Sequence, residues 1–126
     1  MADVAVTPTA LALNVASADL LDTDGTAIGA GFATDQWVVA AGGRHGSLLL
    51  LKFWDDGSGC TITILAGDRP PSHLTGLGNL AITMAASDVK YIVVEAGRFL
   101  QNTGEIFITA TDAGAECKAF TLPKIF

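Results

Sequence analysis

Residues 60–88 read CTITILAGDRPPSHLTGLGNLAITMAASD, and this stretch decides the fold. Over 60–66 and again over 80–85, bulky residues alternate with small or polar ones at period two. Each segment can therefore bury one face and turn the other to solvent or to a second sheet. Two strands are expected, joined by a loop over 67–79 that holds three Gly, two consecutive Pro, one His and one Arg. A structureless connection of that length in a compact domain is usually functional or disordered. Pro70 and Pro71 fix their own φ angles and push the residues before them towards extended conformations, which predicts a stiffened loop rather than a floppy linker.

Upstream of this stretch, SLLLLKFWD (47–55) is the most hydrophobic strand, expected to be central and buried on both faces for part of its length. DDGSG (55–59) reads as a hairpin turn leading into the strand at Cys60. QWVVAA (36–41) is a strand by its β-branched and aromatic content, followed by a Gly-rich loop presenting Arg44 and His45. TALALNVA (9–16) alternates Leu11, Leu13 and Val15, while residues 1–8 form an arm or edge segment in which Pro8 cannot donate a ladder hydrogen bond. Downstream, VKYIVVEA (89–96) is a further strand, and EIFITAT (105–111) and ECKAFTL (116–122) are expected to pair as a terminal hairpin across DAGA. About eight short strands separated by turn signals predict an all-β, single-domain β-sandwich over 9–126, jelly-roll-like or a related Greek-key barrel.

Composition bounds the partners. The chain has 126 residues, half of them hydrophobic and 16% charged, which suits one folded domain and argues against disorder. Lys plus Arg total 7 against 13 Asp plus Glu, a formal net charge of −6. Nucleic acid is disfavoured as a partner, because its binding draws on clustered basic charge. The longest apolar run, 47–54, is broken by Lys52 and falls far short of a membrane span. The N-terminus lacks the basic start and apolar core of a secretion signal, so a cytoplasmic product is expected. Cys60 and Cys117 make no disulfide framework and read as buried free thiols.

No catalytic constellation is legible. DTDG (22–25) has its Gly at the fourth place and its next acid, Asp35, too late for a calcium loop of about twelve residues, so it reads as a turn. AGGRHGSL (41–48) lacks the Lys-Ser/Thr pair of a phosphate-binding loop. His45 and His73 have no third ligand nearby to make a zinc site. No GxSxG elbow surrounds Ser47, Ser58, Ser72 or Ser87. A glycosidase-like pair of Glu95 and Glu105 would have little groove around it in a domain of this size. The reading is non-enzymatic, with no cofactor and no metal. Trp37, Trp54 and Tyr91 are candidates for an aromatic contact surface, either a sugar platform or core and oligomer contacts.

The order of segments is nonetheless familiar. VTPTALALNVA, the leucine-rich strand, TITILAGDRPP, then GLGNLAITMAASDVKYIVVEAGRFLQNTGEIFITA and a closing FTLPK resemble small virion structural proteins of tailed bacteriophages, of the head decoration, cement or auxiliary capsid type. The resemblance runs from about Val6 to Lys124. It implies a protein made in the host cytoplasm that binds the major capsid protein lattice on the outer surface of the phage head, commonly as a homotrimer. It implies no catalytic residues. A tail or fibre component and a carbohydrate-binding module are the alternatives. Two contact regions are expected. Val4, Val6 and Pro8 of the arm could add to a neighbour's sheet edge. Arg69, Pro70, Pro71 and His73 would form a rigid docking loop against the capsid or a sister subunit, rigid loops losing less entropy on binding.

Overall fold

The computed structural model describes residues 3–10, 25–40, 48–55, 57–68, 78–101 and 103–122. Ten strands and one helical turn run through them: β1 (Asp3–Val6), β2 (Thr9–Ala10), β3 (Thr26–Ala27), β4 (Gln36–Ala40), β5 (Leu48–Asp55), β6 (Cys60–Ile64), β7 (Leu80–Met84), β8 (Val89–Glu95), α1 (Ala96–Phe99), β9 (Glu105–Ala110) and β10 (Ala115–Thr121). The first sheet has the order β1-β4-β9-β6-β7, and the second the order β2-β10-β5-β8, with β3 also pairing β10. The all-β sandwich expected from the turn spacing is what the chain builds.

Period-two alternation sets the core. From the first sheet, Val6, Trp37, Val39, Cys60, Ile62, Ile64, Met84, Ile106, Ile108 and Ala110 are buried in one cluster with Leu49, Leu51, Phe53, Val94, Ala115, Cys117 and Ala119 of the second. Fully burying one large aliphatic or aromatic side chain is worth about 1.5–3 kcal/mol, so this face-to-face packing carries the domain. Trp37 ties the two sheets together. Its ring centroid lies 6.1 Å from that of Phe53, and its indole N–H donates to the Thr26 carbonyl at 3.0 Å, which satisfies a donor that would otherwise be buried dry.

β6 and β7 pair antiparallel, Cys60 opposite Met84 through Ile64 opposite Leu80, as the alternation over 60–88 predicts. β5 is central in its sheet, between β10 and β8. Leu49, Leu51 and Phe53 are fully buried on one face, and Lys52 is 2% exposed on the other.

Two expected hairpins are not formed. β5 and β6 belong to different sheets, and so do β9 and β10, so DDGSG and DAGA carry the chain across the sandwich. The physical reason is that turn residues encode a reversal but not which sheet receives the next strand. The crossings are built by aspartates that accept backbone N–H groups: Asp55 from Gly59, Asp112 from Gly114 at 3.2 Å and, between β7 and β8, Asp88 from Ala85 at 2.9 Å. Gly59 has φ 77°, a conformation glycine adopts without Cβ strain.

The arm is also part of the body. β1 lies parallel to β4, with Val4 opposite Trp37 and Val6 opposite Val39. Val6 is 4% exposed and belongs to the core, and Val4 packs against it. Of the strand expected over 9–16, Thr9 and Ala10 are described, parallel to β10; Leu11, Leu13 and Val15 lie outside the described residues.

Candidate functional site

The loop over 67–79 leaves one end of the β6-β7 pair, and its two ends are clamped. The Asn79 side-chain carbonyl accepts the Ala66 N–H at 2.8 Å, and the Gln101 amide donates to the Ala66 carbonyl at 3.0 Å. Gly67 N–H donates to the Arg98 carbonyl at 2.9 Å, and Asp68 N–H to that of Leu100 at 3.2 Å. The backbones approach so closely that a Cβ on Gly67 would sit 2.5 Å from the Leu100 oxygen. From the other side, the Arg98 guanidinium donates to the Gly78 carbonyl at 3.3 Å and lies 4.8 Å from the centre of the Phe99 ring. α1 thus acts as an anchor for the base of the loop, and Phe99 and Leu100 are themselves buried. Arg69, Pro70, Pro71 and His73, the expected docking residues, lie outside the described residues, as does His45.

The outer face of the second sheet is the other feature. Register places three rows across it: Phe120, Leu50 and Val93; Lys118, Lys52 and Tyr91; and Glu116, Trp54 and Val89. Tyr91 at 51% and Val93 at 54% are the large hydrophobic side chains exposed among the described residues. Phe120 is 1% exposed although it points away from the core cluster. Lys118 and Lys52 stand opposite one another, an unfavourable cross-strand pairing. The Lys118 ammonium is 5.7 Å from the centre of the Phe120 ring, a cation–π contact that holds part of its charge.

The sequence-derived aromatic surface is therefore divided. Trp54 and Tyr91 share the outer face of the second sheet, on diagonal positions of β5 and β8. Trp37 is fully buried between the sheets and takes no part in any surface. Val4 and Val6 turn their side chains to their own core, within β1 at the edge of the first sheet, and Pro8 is half-buried after β1. Sequence reasoning missed the clamp made by Arg98, Gln101 and Asn79. Its one signal was Gly97, which ends the strand pattern ahead of Arg98.

The rest of the chemistry is spare. Glu95 ends β8 in one sheet and Glu105 opens β9 in the other. Among the described residues no three His, Cys, Asp or Glu gather as a metal site. Cys60 and Cys117 are free and buried. Burial, helped by the nearby Asp55 and Asp112 charges, pushes the Cys60 thiol up to about 11. Burial alone pushes Cys117 up further. Both are neutral and poorly nucleophilic at neutral pH. A shallow depression beside the turn at 31–35 is lined by Phe32, Asp35, Gln36, Thr109 and Thr111, with no convergent catalytic groups. No described helix is long and apolar enough to cross a membrane. Comparison with protein-family models, curated proteins and solved structures finds no match to this chain.

Proposed function

We propose that this chain is a non-enzymatic structural protein of a tailed-phage virion, a head decoration protein that binds the outer capsid lattice and stabilises the shell as a homo-oligomer. The observation that carries this reading is the outer face of the second sheet, where Tyr91 and Val93 stand side by side and exposed. An exposed aromatic and an exposed β-branched side chain two residues apart on one strand suit contact with protein. The base of the 67–79 loop, clamped at Ala66 to Asp68 and at Gly78 and Asn79, supports a second contact region. The sequence resemblance supplies the kind of assembly, and the burial of Trp37 takes away one of the three aromatics a sugar platform would use.

The test is binding of the purified protein to emptied or expanded heads, read by co-sedimentation and by particle images. Saturable occupancy of the head lattice is expected. Binding to tails with none to heads would move the protein to the tail or fibre reading, and absence from both particles would overturn the virion reading. Replacing Arg69 and His73 together by Ala is expected to lower occupancy without changing the thermal unfolding of the free protein.

A further inference from the structure

We propose that β8 is a self-association edge, pairing antiparallel with β8 of a second copy about a two-fold axis at Ile92 and joining the two second sheets into one continuous sheet. The inference goes beyond head binding and stands without it. It also replaces the trimer implied by the sequence resemblance with a dimer.

Among the described residues five strands lie at sheet edges, and four of them are poor templates for addition. β1 has four residues and is followed by Pro8, and β2 and β3 have two residues each. On β7, Lys90 reaches across to donate its ammonium to the Thr83 carbonyl at 2.7 Å, so a backbone acceptor is already taken. β8 differs. It runs for seven residues, VKYIVVE, with neither Pro nor Gly, and among the described residues it has a strand on one side only. A long edge strand of that composition is what proteins ordinarily disguise when no partner is intended.

The side chains select the partner and the register. Tyr91 and Val93 project to the same outer face two residues apart, since Tyr91 pairs with Lys52 and Val93 with Leu50. A two-fold axis normal to the sheet keeps outer face with outer face, so the register must be even. Centred on Ile92, Tyr91 lies opposite Val93 of the second copy, and Val93 opposite its Tyr91. Both exposed side chains are covered as aromatic and β-branched cross-strand pairs, a favourable combination. Centring on Tyr91 leaves Val93 against Val89, and centring on Val93 sets Tyr91 against Glu95.

Native mass measurement of the wild-type chain without heads is expected to show a dimer. Replacing Tyr91 and Val93 together by Lys should raise the dimer dissociation constant roughly tenfold or more, because like charges then oppose each other across the edge. The register is read separately by cysteine trapping. An oxidised mixture of the Tyr91→Cys and Val93→Cys variants should yield a covalent dimer, while neither variant alone cross-links through its new thiol. A monomeric or trimeric wild type, or cross-linking of either single variant by itself, overturns the proposal. Since no head is present in any of these measurements, their failure is distinct from a failure to decorate.

Discussion

The two sheets share one inner face and differ on their outer ones. On the first sheet, register sets Thr83 opposite Thr61 and puts Ala81, Thr63 and Thr109 in the next row, while Ala5, Val38 and Phe107 form a row towards β1. The Thr111 hydroxyl accepts the Thr61 N–H at 2.9 Å. On the second sheet one row carries Glu116, Trp54 and Val89, the next Lys118, Lys52 and Tyr91, and the third Phe120, Leu50 and Val93. Threonine suits a strand whose face ends in water, because its methyl packs along the pleat and its hydroxyl stays solvated. Aromatic and branched aliphatic residues ask for cover, which Phe120 finds within the chain and Tyr91 and Val93 do not. The core thus specifies the sandwich, while the second sheet differs in leaving two large apolar side chains of one strand exposed.

The sharpest way to break that contrast is to cut one outward side chain from each sheet. Phe120→Ala is expected to cost about 3–5 kcal/mol, as a buried aromatic in a core would, although Phe120 lies on the outer face. Thr63→Ala, at the half-buried counterpart on the first sheet, should cost under about 1 kcal/mol. Urea unfolding of both variants decides the point, and equal losses would erase the distinction between the faces. A smaller effect is expected where the first sheet hands over to its long loop. Gly67→Ala drives a Cβ against the Leu100 backbone and should cost about 1–3 kcal/mol, with faster hydrogen exchange at the Asp68 amide as the clamp opens.

How much of this was legible depends on the range of the interaction. Alternation over 60–88 specified β6, β7 and their pairing, because period two is written locally in Ile62, Ile64, Leu80 and Ile82. The run around Leu49 to Phe53 likewise announced a central strand. Strand order was not legible: β9 and β10 sit in different sheets although DAGA looks like a hairpin, and the parallel pairs of β1 with β4 and β2 with β10 leave no local mark. The candidate surface was half legible. Tyr91 and Trp54 are surface aromatics, yet nothing in composition separates them from Trp37, whose indole is tied to Thr26 across the core. The clamp on the 67–79 loop was hidden for the same reason, since Arg98, Gln101 and Asn79 meet only after folding.

The inner faces can be compared as well, because each sheet turns one cysteine into the core. In the unfolded chain a thiol titrates near 9.0, and in the folded chain Cys60 titrates near 11. The folded state therefore keeps a proton that the unfolded state releases between those values. The sign follows: the contribution to stability is complete below about pH 9 and is lost as pH rises through about 11. Cys60→Ala should flatten that part of the alkaline decline in urea midpoints, whereas Cys117→Ala should flatten a decline that begins at the same pH and continues further up. Identical profiles for wild type and the Cys60 variant would mean that this thiol is not held from water as its place beside Met84 requires.

The mildest change tests the outer faces once more, by giving the second sheet a residue of the first. Val93→Thr keeps the β-branched shape and strand propensity of the position, so the unfolding free energy of the monomer should move by no more than about 0.5 kcal/mol. What changes is the surface, because a hydroxyl replaces a methyl at a position 54% exposed. Sedimentation at increasing protein concentration should then show weaker self-association at unchanged stability. If association is undiminished, the apolar character of Val93 is not what the contact uses, and the backbone edge of β8 must carry it alone.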